Sequence, residues 1–275
     1  VTREKLESVY GYDKYGGNCH MIPNHGLIIH SLLHGEDDFS ETMKIINTCG
    51  WDTDCNSGNV GCLMGIKNGL EGIDSSMSKG LDWRGPVADR IYIPTAEPSR
   101  SISDCATEAT HIINTARIMK GQEKWMPKHG AQFHFELPGS VQGFLVTRGE
   151  GSIENVKSKS ALGDHTLKLT SSRGESAFGS PVFAPSKDIA KMFESRGYAL
   201  LSSPKIYPGQ TIEARLTADA ETGASCRIYV SYYGDNDEIS HVFGQTNVVS
   251  STESSRLKLE IPSYAHPIFE VGIEL

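Results

Sequence analysis

The hydrophobic period of this chain changes between residues 121 and 130, from helical before to alternating after. Leu27, Ile28, Leu32 and Leu33 recur at helical spacing in residues 23–34, ahead of Gly35. Phe39, Met43, Ile46 and Cys49 form a second stripe, ahead of Gly50, and Val60, Leu63, Met64 and Ile66 mark a third helix over 55–70. Gly61, Gly65 and Gly69 recur every fourth residue, which lines one helix face and lets a neighbouring helix approach closely. Ser103 is placed to cap a last helix, with Ala106, Ala109, Ile112, Ile113, Ala116 and Met119 inward and Gly121 ending it. Residues 72–100, carrying Pro86, Pro94 and Pro98, read as loop and short turns. Past the break, apolar residues alternate with polar ones. This holds at Phe133, Phe135 and Leu137; Leu167 and Leu169; Ile212, Ala214 and Leu216; Ile228, Val230 and Tyr232; Leu257, Leu259 and Ile261; and Phe269, Val271, Ile273 and Leu275. Residues 188–196 suit a short helix. The pattern predicts a multidomain chain: an all-α domain over 1–122, then an all-β antiparallel sandwich, jelly-roll-like, over 127–275.

The length of 275 residues accommodates two domains of ordinary size. With Lys+Arg 26 against Asp+Glu 34, the net charge of -8 gives no general attraction for nucleic acid or anionic membrane. No apolar run approaches the ~18 residues of a membrane span. The start, Val1-Thr2-Arg3-Glu4, carries no signal-peptide pattern and reads as internal, so a mature product or a fragment of something longer is expected. The 6 cysteines form no CxxC pair, which favours reduced thiols and a cytoplasmic location.

Three stretches carry candidate chemistry. In Thr48-Cys49-Gly50-Trp51-Asp52-Thr53-Asp54-Cys55-Asn56, two carboxylates flank one residue at the start of a predicted helix. They either aim at one hard cation such as Mg2+, Mn2+ or Ca2+, or simply cap the helix. In Tyr15-Gly16-Gly17-Asn18-Cys19-His20-Met21-Ile22-Pro23-Asn24, a glycine-containing loop enters a helix and carries His20 and Asn24. Either it holds an anionic or sugar ligand, or it is an ordinary loop. In Asp82-Trp83-Arg84-Gly85-Pro86, Trp83 either stacks on a ring or anchors the loop on the core. Asp37-Asp38 reads as an acidic helix start rather than a metal site. His30, His34 and His111 suggest solvent or core roles. In the strand half, Tyr207, Tyr229, Tyr232, Tyr233 and Tyr264 suggest a sugar-stacking face, but alternation puts Tyr229 and Tyr233 opposite Tyr232.

Taken in order, Gly16 to Asn24, then Gly35-Glu36-Asp37-Asp38-Phe39, then Gly50 to Asn56 running into the Gly61/Gly65/Gly69 helix resemble the C-terminal half of the ADP-ribosylglycohydrolase family. The resemblance covers about residues 5–95. It implies a partial all-helical catalytic domain with a pair of Mg2+ or Mn2+ ions. The implied reaction is hydrolysis of the bond between the anomeric carbon of an ADP-ribose-like ribose and its leaving group. By the match Asp52 and Asp54 are metal ligands, while Cys55 stands where the family usually has a Thr or similar oxygen donor. His20, Asn24, Trp51 and Asn56 are the implied substrate-binding or neighbouring residues. The family's Thr-Asp-Asp-like run and its acidic catalytic residue do not occur in this sequence, and are expected in an N-terminal half, whether preceding or as a separate chain.

The expected function is a metal-dependent glycohydrolase acting on an ADP-ribosyl or related ribofuranosyl conjugate. The alternative is a non-catalytic module that recognises glycan or protein through the sandwich, with a vestigial metal loop.

Overall fold

The computed structural model describes residues 1–93, 97–158, 163–185, 187–195, 197, 202–219, 223–236, 238–251, 254–263 and 266–275. Pro94, Arg196 and Tyr264 lie outside the described residues. The chain packs as two compact units, Val1–Pro86 and Val87–Leu275, so the 122–127 boundary expected from the period change falls inside the second.

The first unit is helical: α1 (Thr2–Tyr10), α2 (Met21–His34), α3 (Phe39–Thr48) and α4 (Thr53–Asp74), followed by a 3-10 turn at Ser75–Lys79. Leu27 from α2, Phe39, Met43 and Ile46 from α3, and Val60 and Met64 from α4 close one core, with Trp51 on top. Asp38 caps α3 by accepting the Glu41 N–H at 2.8 Å, as its acidic start suggests. Trp83 donates from Nε1 to Ser40 Oγ at 3.1 Å and meets Phe39 edge-on, while Arg84 pairs with Asp74 at 2.7 Å. That stretch therefore anchors its loop to the core. Of the three spaced glycines only Gly61 faces another helix, with room for a Cβ 3.5 Å from Met43. Gly69 is a kink at φ 65, a conformation glycine adopts without steric cost. Two apolar stripes stay exposed, Ile22, Ile29 and Leu33 on α2 and Leu63, Ile66 and Leu70 on α4.

The second unit opens with a small ladder, β1 (Arg90–Tyr92) against β2 (Ile102–Asp104), and the helix α5 (Cys105–Met119). The α5 cap is Asp104, accepting from Thr107 N at 2.8 Å, rather than Ser103, which is in β2 and donates to Glu108. Only Ala106 of the expected inward stripe is buried; Ile112 and Met119 are 71% and 82% exposed. The segment 133–137 is not a strand despite its alternation. Phe135 takes a φ of 54, and the Gln142 side-chain oxygen accepts both the His134 and Phe135 N–H groups at 2.8 and 2.7 Å. The Asp89 carboxylate fixes the same corner by accepting from Ser140 Oγ and from the Val141 and Gln142 amides.

The strands that follow are β3 (Leu145–Lys157), β4 (His165–Pro181), β5 (Thr211–Leu216), β6 (Ala224–Tyr233), β7 (Ile239–Phe243), β8 (Asn247–Val249), β9 (Ser255–Glu260) and β10 (Ile268–Glu274), with α6 (Lys187–Ser195) between β4 and β5. The large sheet runs β3-β4-β10-β6-β7, with β8 on β6, and β5 pairs with β9 separately. All these pairings are antiparallel. Cys226, Ile228 and Val230 of β6, Val271 and Ile273 of β10, and Leu257 and Leu259 of β9 meet in one core. Two antiparallel sheets thus bury their facing sides as a sandwich, and the helical-then-β reading of the sequence stands.

Alternation along β6 sorts its tyrosines as expected. Tyr232 packs against the core, and Tyr229 and Tyr233 lie on the other face. Tyr229 is nevertheless fully buried, so it is not a stacking surface. Its hydroxyl donates to Glu270 at 2.8 Å and meets Thr147 Oγ1 at 2.8 Å, and Arg148 covers its ring. Burial pushes the Tyr229 phenol well above its ordinary range and raises the Glu270 carboxyl. Gly272 and Gly179 make room for this ring: a Cβ at Gly272 would come within 2.5 Å of it, and one at Gly179 within 2.6 Å of its oxygen.

Candidate metal centre

The Asp52–Asn56 stretch is set by two left-handed residues ahead of it. Gly50 has φ 89 and Trp51 has φ 54. A bulky residue in that region is held there only when its surroundings over-determine it. Trp51 is 5% exposed, its ring stacks on Tyr12 with centroids 5.0 Å apart, and its backbone N–H donates to Tyr12 Oη at 2.6 Å. The chain therefore enters α4 with Asp52 at the N-cap and Asp54 and Cys55 in the first turn.

Asp52 does not serve as a side-chain cap, which removes the simpler reading of its carboxylate. One oxygen each from Asp52 and Asp54 and the Cys55 sulfur lie within 4.8 Å of one another; Asp52 is half-buried and the other two exposed. The N-terminal N–H groups of α4 favour negative charge here. The donor set fits a divalent cation. With metal–oxygen distances near 2.1 Å and metal–sulfur near 2.3 Å, three donors on one ion lie no more than about 3.8 Å apart, so these side chains would close in by about 1 Å to grip it. Among the described residues, no other group of three or more His, Cys, Asp or Glu donors comes together in this way.

Asn24 ties the loops together. Its Oδ1 accepts the Asp52 N–H at 3.1 Å and the Asn56 amide at 3.0 Å, and its Nδ2 donates to the Asn18 carbonyl at 2.9 Å. Asn56 is 2% exposed, so its amide depends on that acceptor. His20, half-buried, precedes α2 and holds the Gly16 carbonyl through Nε2 at 2.9 Å. Of the residues singled out in the sequence, the structure thus gathers Asp52, Asp54 and Cys55 as donors, with Asn24 and Asn56 directly behind them. Trp51 lies beneath the turn, and His20 braces the neighbouring loop.

Two residues here were not legible in the sequence. Tyr12 holds Trp51 across 39 positions, and no spacing rule signals such a contact. Cys19 faces the same carboxylates, and the Asp52 charge raises its thiol pKa, with Asp54 adding to it. The Cys55 thiol is raised as well, first by its hydrogen bond to Asp52.

Residues 2–101 match the family described as ADP-ribosylglycohydrolase, so the resemblance read from the motifs is a property of the helical stretch of this chain. No curated protein matches the chain. Among solved structures, this chain is similar to the CBM22-1 xylan-binding domain of Paenibacillus barcinonensis Xyn10C, at 11% identity and TM-score 0.36, covering 51% of this chain and 79% of that one. It is also similar to the C-terminal family 22 carbohydrate binding module of Clostridium thermocellum Xyn10B, at 14% identity and TM-score 0.34, covering 50% of this chain and 78% of that one. Likeness at this level leaves the fold of the β unit resting on its own strand order. Among the described residues, no helix is long and apolar enough to cross a membrane.

Proposed function

We propose that this chain carries part of a metal-dependent glycohydrolase that cleaves the glycosidic bond of an ADP-ribosyl or related ribofuranosyl conjugate. The observation that carries the reading is the convergence of Asp52, Asp54 and Cys55 at the start of α4, inside the stretch matching the family. Mg2+ or Mn2+, one or two ions, would sit on these donors and supply Lewis-acid polarisation of a bound hydroxyl or water. Asp52 and Asp54 hold the cation, Asn24 and Asn56 fix the backbone that aims them, and His20 stands at the rim as a substrate contact. The exposed stripes on α2 and α4 suit a catalytic domain completed by further helices, which would bring the remaining ligands and the acidic catalytic residue. The test is release of ADP-ribose from an ADP-ribosylated arginine conjugate, with Mn2+ present, by a protein that joins this chain to the helices completing its catalytic domain. Turnover that disappears with chelator is expected. Turnover indifferent to chelator would contradict the reading.

A second reading is favoured by one feature of the β unit. Tyr233 and Phe269 stack with centroids 4.6 Å apart, both half-buried, on the sheet face turned away from the core and beside Glu270. Such a pair suits the apolar face of a sugar ring. On this reading the sandwich binds a β-linked glycan. Retardation of the chain in gels containing soluble xylan, lost in Tyr233→Ala, is expected; equal migration with and without xylan would dismiss it.

A further inference from the structure

The metal centre contains a donor that Mg2+ has little use for. Mg2+ demands near-octahedral oxygen coordination and gives up water reluctantly, whereas thiolate favours zinc-class ions. Cys55 places its sulfur within 4.8 Å of the Asp52 and Asp54 oxygens, exposed and in the first turn of α4. The Asp52 side chain does not cap the helix; its carboxylate instead takes the Cys55 thiol as a hydrogen-bond donor, which sets that oxygen and sulfur side by side to share an ion.

We infer that Cys55 makes this centre select a borderline-soft divalent ion of the zinc class over a hard one, so that Cys55 is the residue that sets its metal specificity. The inference rests on the metal reading of the Asp52–Asp54 site. When the ion binds, the Cys55 S–H bond breaks, a sulfur–metal bond forms, and the proton passes to bulk buffer. No electron changes hands, and no co-reactant is needed. The titratable groups facing the site are Asp52, Asp54, Cys55 and Cys19. Cys19 is therefore the competing sulfur that any test must separate.

Zinc outranks manganese at almost any protein site, so the change in their ratio on removing the sulfur is the diagnostic quantity. Zn2+ and Mn2+ affinities are measured by calorimetry on the full chain, its Cys55→Thr variant and its Cys19→Ser variant. Cd2+ is added separately, and the ultraviolet charge-transfer absorption of a thiolate–Cd2+ bond is recorded. Threonine suits an exposed first-turn position, so Cys55→Thr keeps the fold. In Cys55→Thr, Zn2+ affinity is expected to fall on the order of tenfold or more, Mn2+ affinity to hold or rise, and the Cd2+ band to drop relative to the parent. Cys19→Ser is expected to keep both. An unchanged zinc-to-manganese ratio in Cys55→Thr, or a band lost in Cys19→Ser instead, overturns the assignment while leaving the metal reading intact. Failure of every ion to bind the parent chain overturns both.

Discussion

Asn24→Ala is expected to lower the stability of the helical unit by about 2 kcal/mol and to weaken metal binding on the order of ten- to a hundredfold. The substitution takes away the acceptor shared by the Asp52 N–H and the buried Asn56 amide, together with the donor to the Asn18 carbonyl. A buried amide left without its partner carries most of the stability loss, since its desolvation is no longer offset. The metal effect has a different origin. Asn24 touches none of the three donor atoms, but it fixes the backbone nitrogen of Asp52, and so the direction from which that carboxylate reaches the ion. Asn24→Asp isolates the acceptor's share of both losses, because it keeps the acceptor and removes only the donor to the Asn18 carbonyl. It is expected to recover most of both losses. Denaturant unfolding followed by tryptophan fluorescence reads the first effect, and calorimetric titration the second. An Asn24→Ala protein that binds metal as the parent does would mean that the Asp52 turn holds its shape through Tyr12 and Trp51 alone.

The helices around the site were readable because their burial follows the 3.6-residue period. Leu27, Met43, Ile46, Val60 and Met64 all fall in one core. The D-x-D stretch was readable because its chemistry restricts residue type and spacing. What held it in place was not. Tyr12 and Asn24 act over 39 and 28 positions, and long-range hydrogen bonds leave no periodic trace. The helix α1 escaped notice because it buries no residue fully and only Leu6 joins the core, at its edge. In the β unit, β5, β6, β9 and β10 showed their alternation, whereas β3 was hidden: its segment is mostly exposed and polar. At 133–137 and along α5 a real apolar pattern misled. In the first case hydrogen bonds from the His134 and Phe135 backbone N–H groups to the Gln142 side-chain oxygen outweighed strand propensity. In the second the stripe belongs to a helix whose Ile112 and Met119 stay exposed.

The largest effect belongs to the carboxylates themselves. Asp52→Ala or Asp54→Ala removes one of the two carboxylate donors in the cluster, and the Asn24 Oδ1 is already shared by the Asp52 N–H and the Asn56 amide. The one carboxylate left beside Cys55 does not retain a divalent ion, because a single negative oxygen donor and a thiol at a helix start do not offset the cost of stripping water from the cation. The most direct measurement is therefore a calorimetric titration of Mn2+ into the full chain and into each of these two variants, with unfolding curves to show that all three are folded. Saturable binding by the parent, abolished in both variants at unchanged stability, is the predicted result. Binding that survives both substitutions, or a parent chain that takes up no ion, would contradict the assignment of Asp52 and Asp54 as the metal centre.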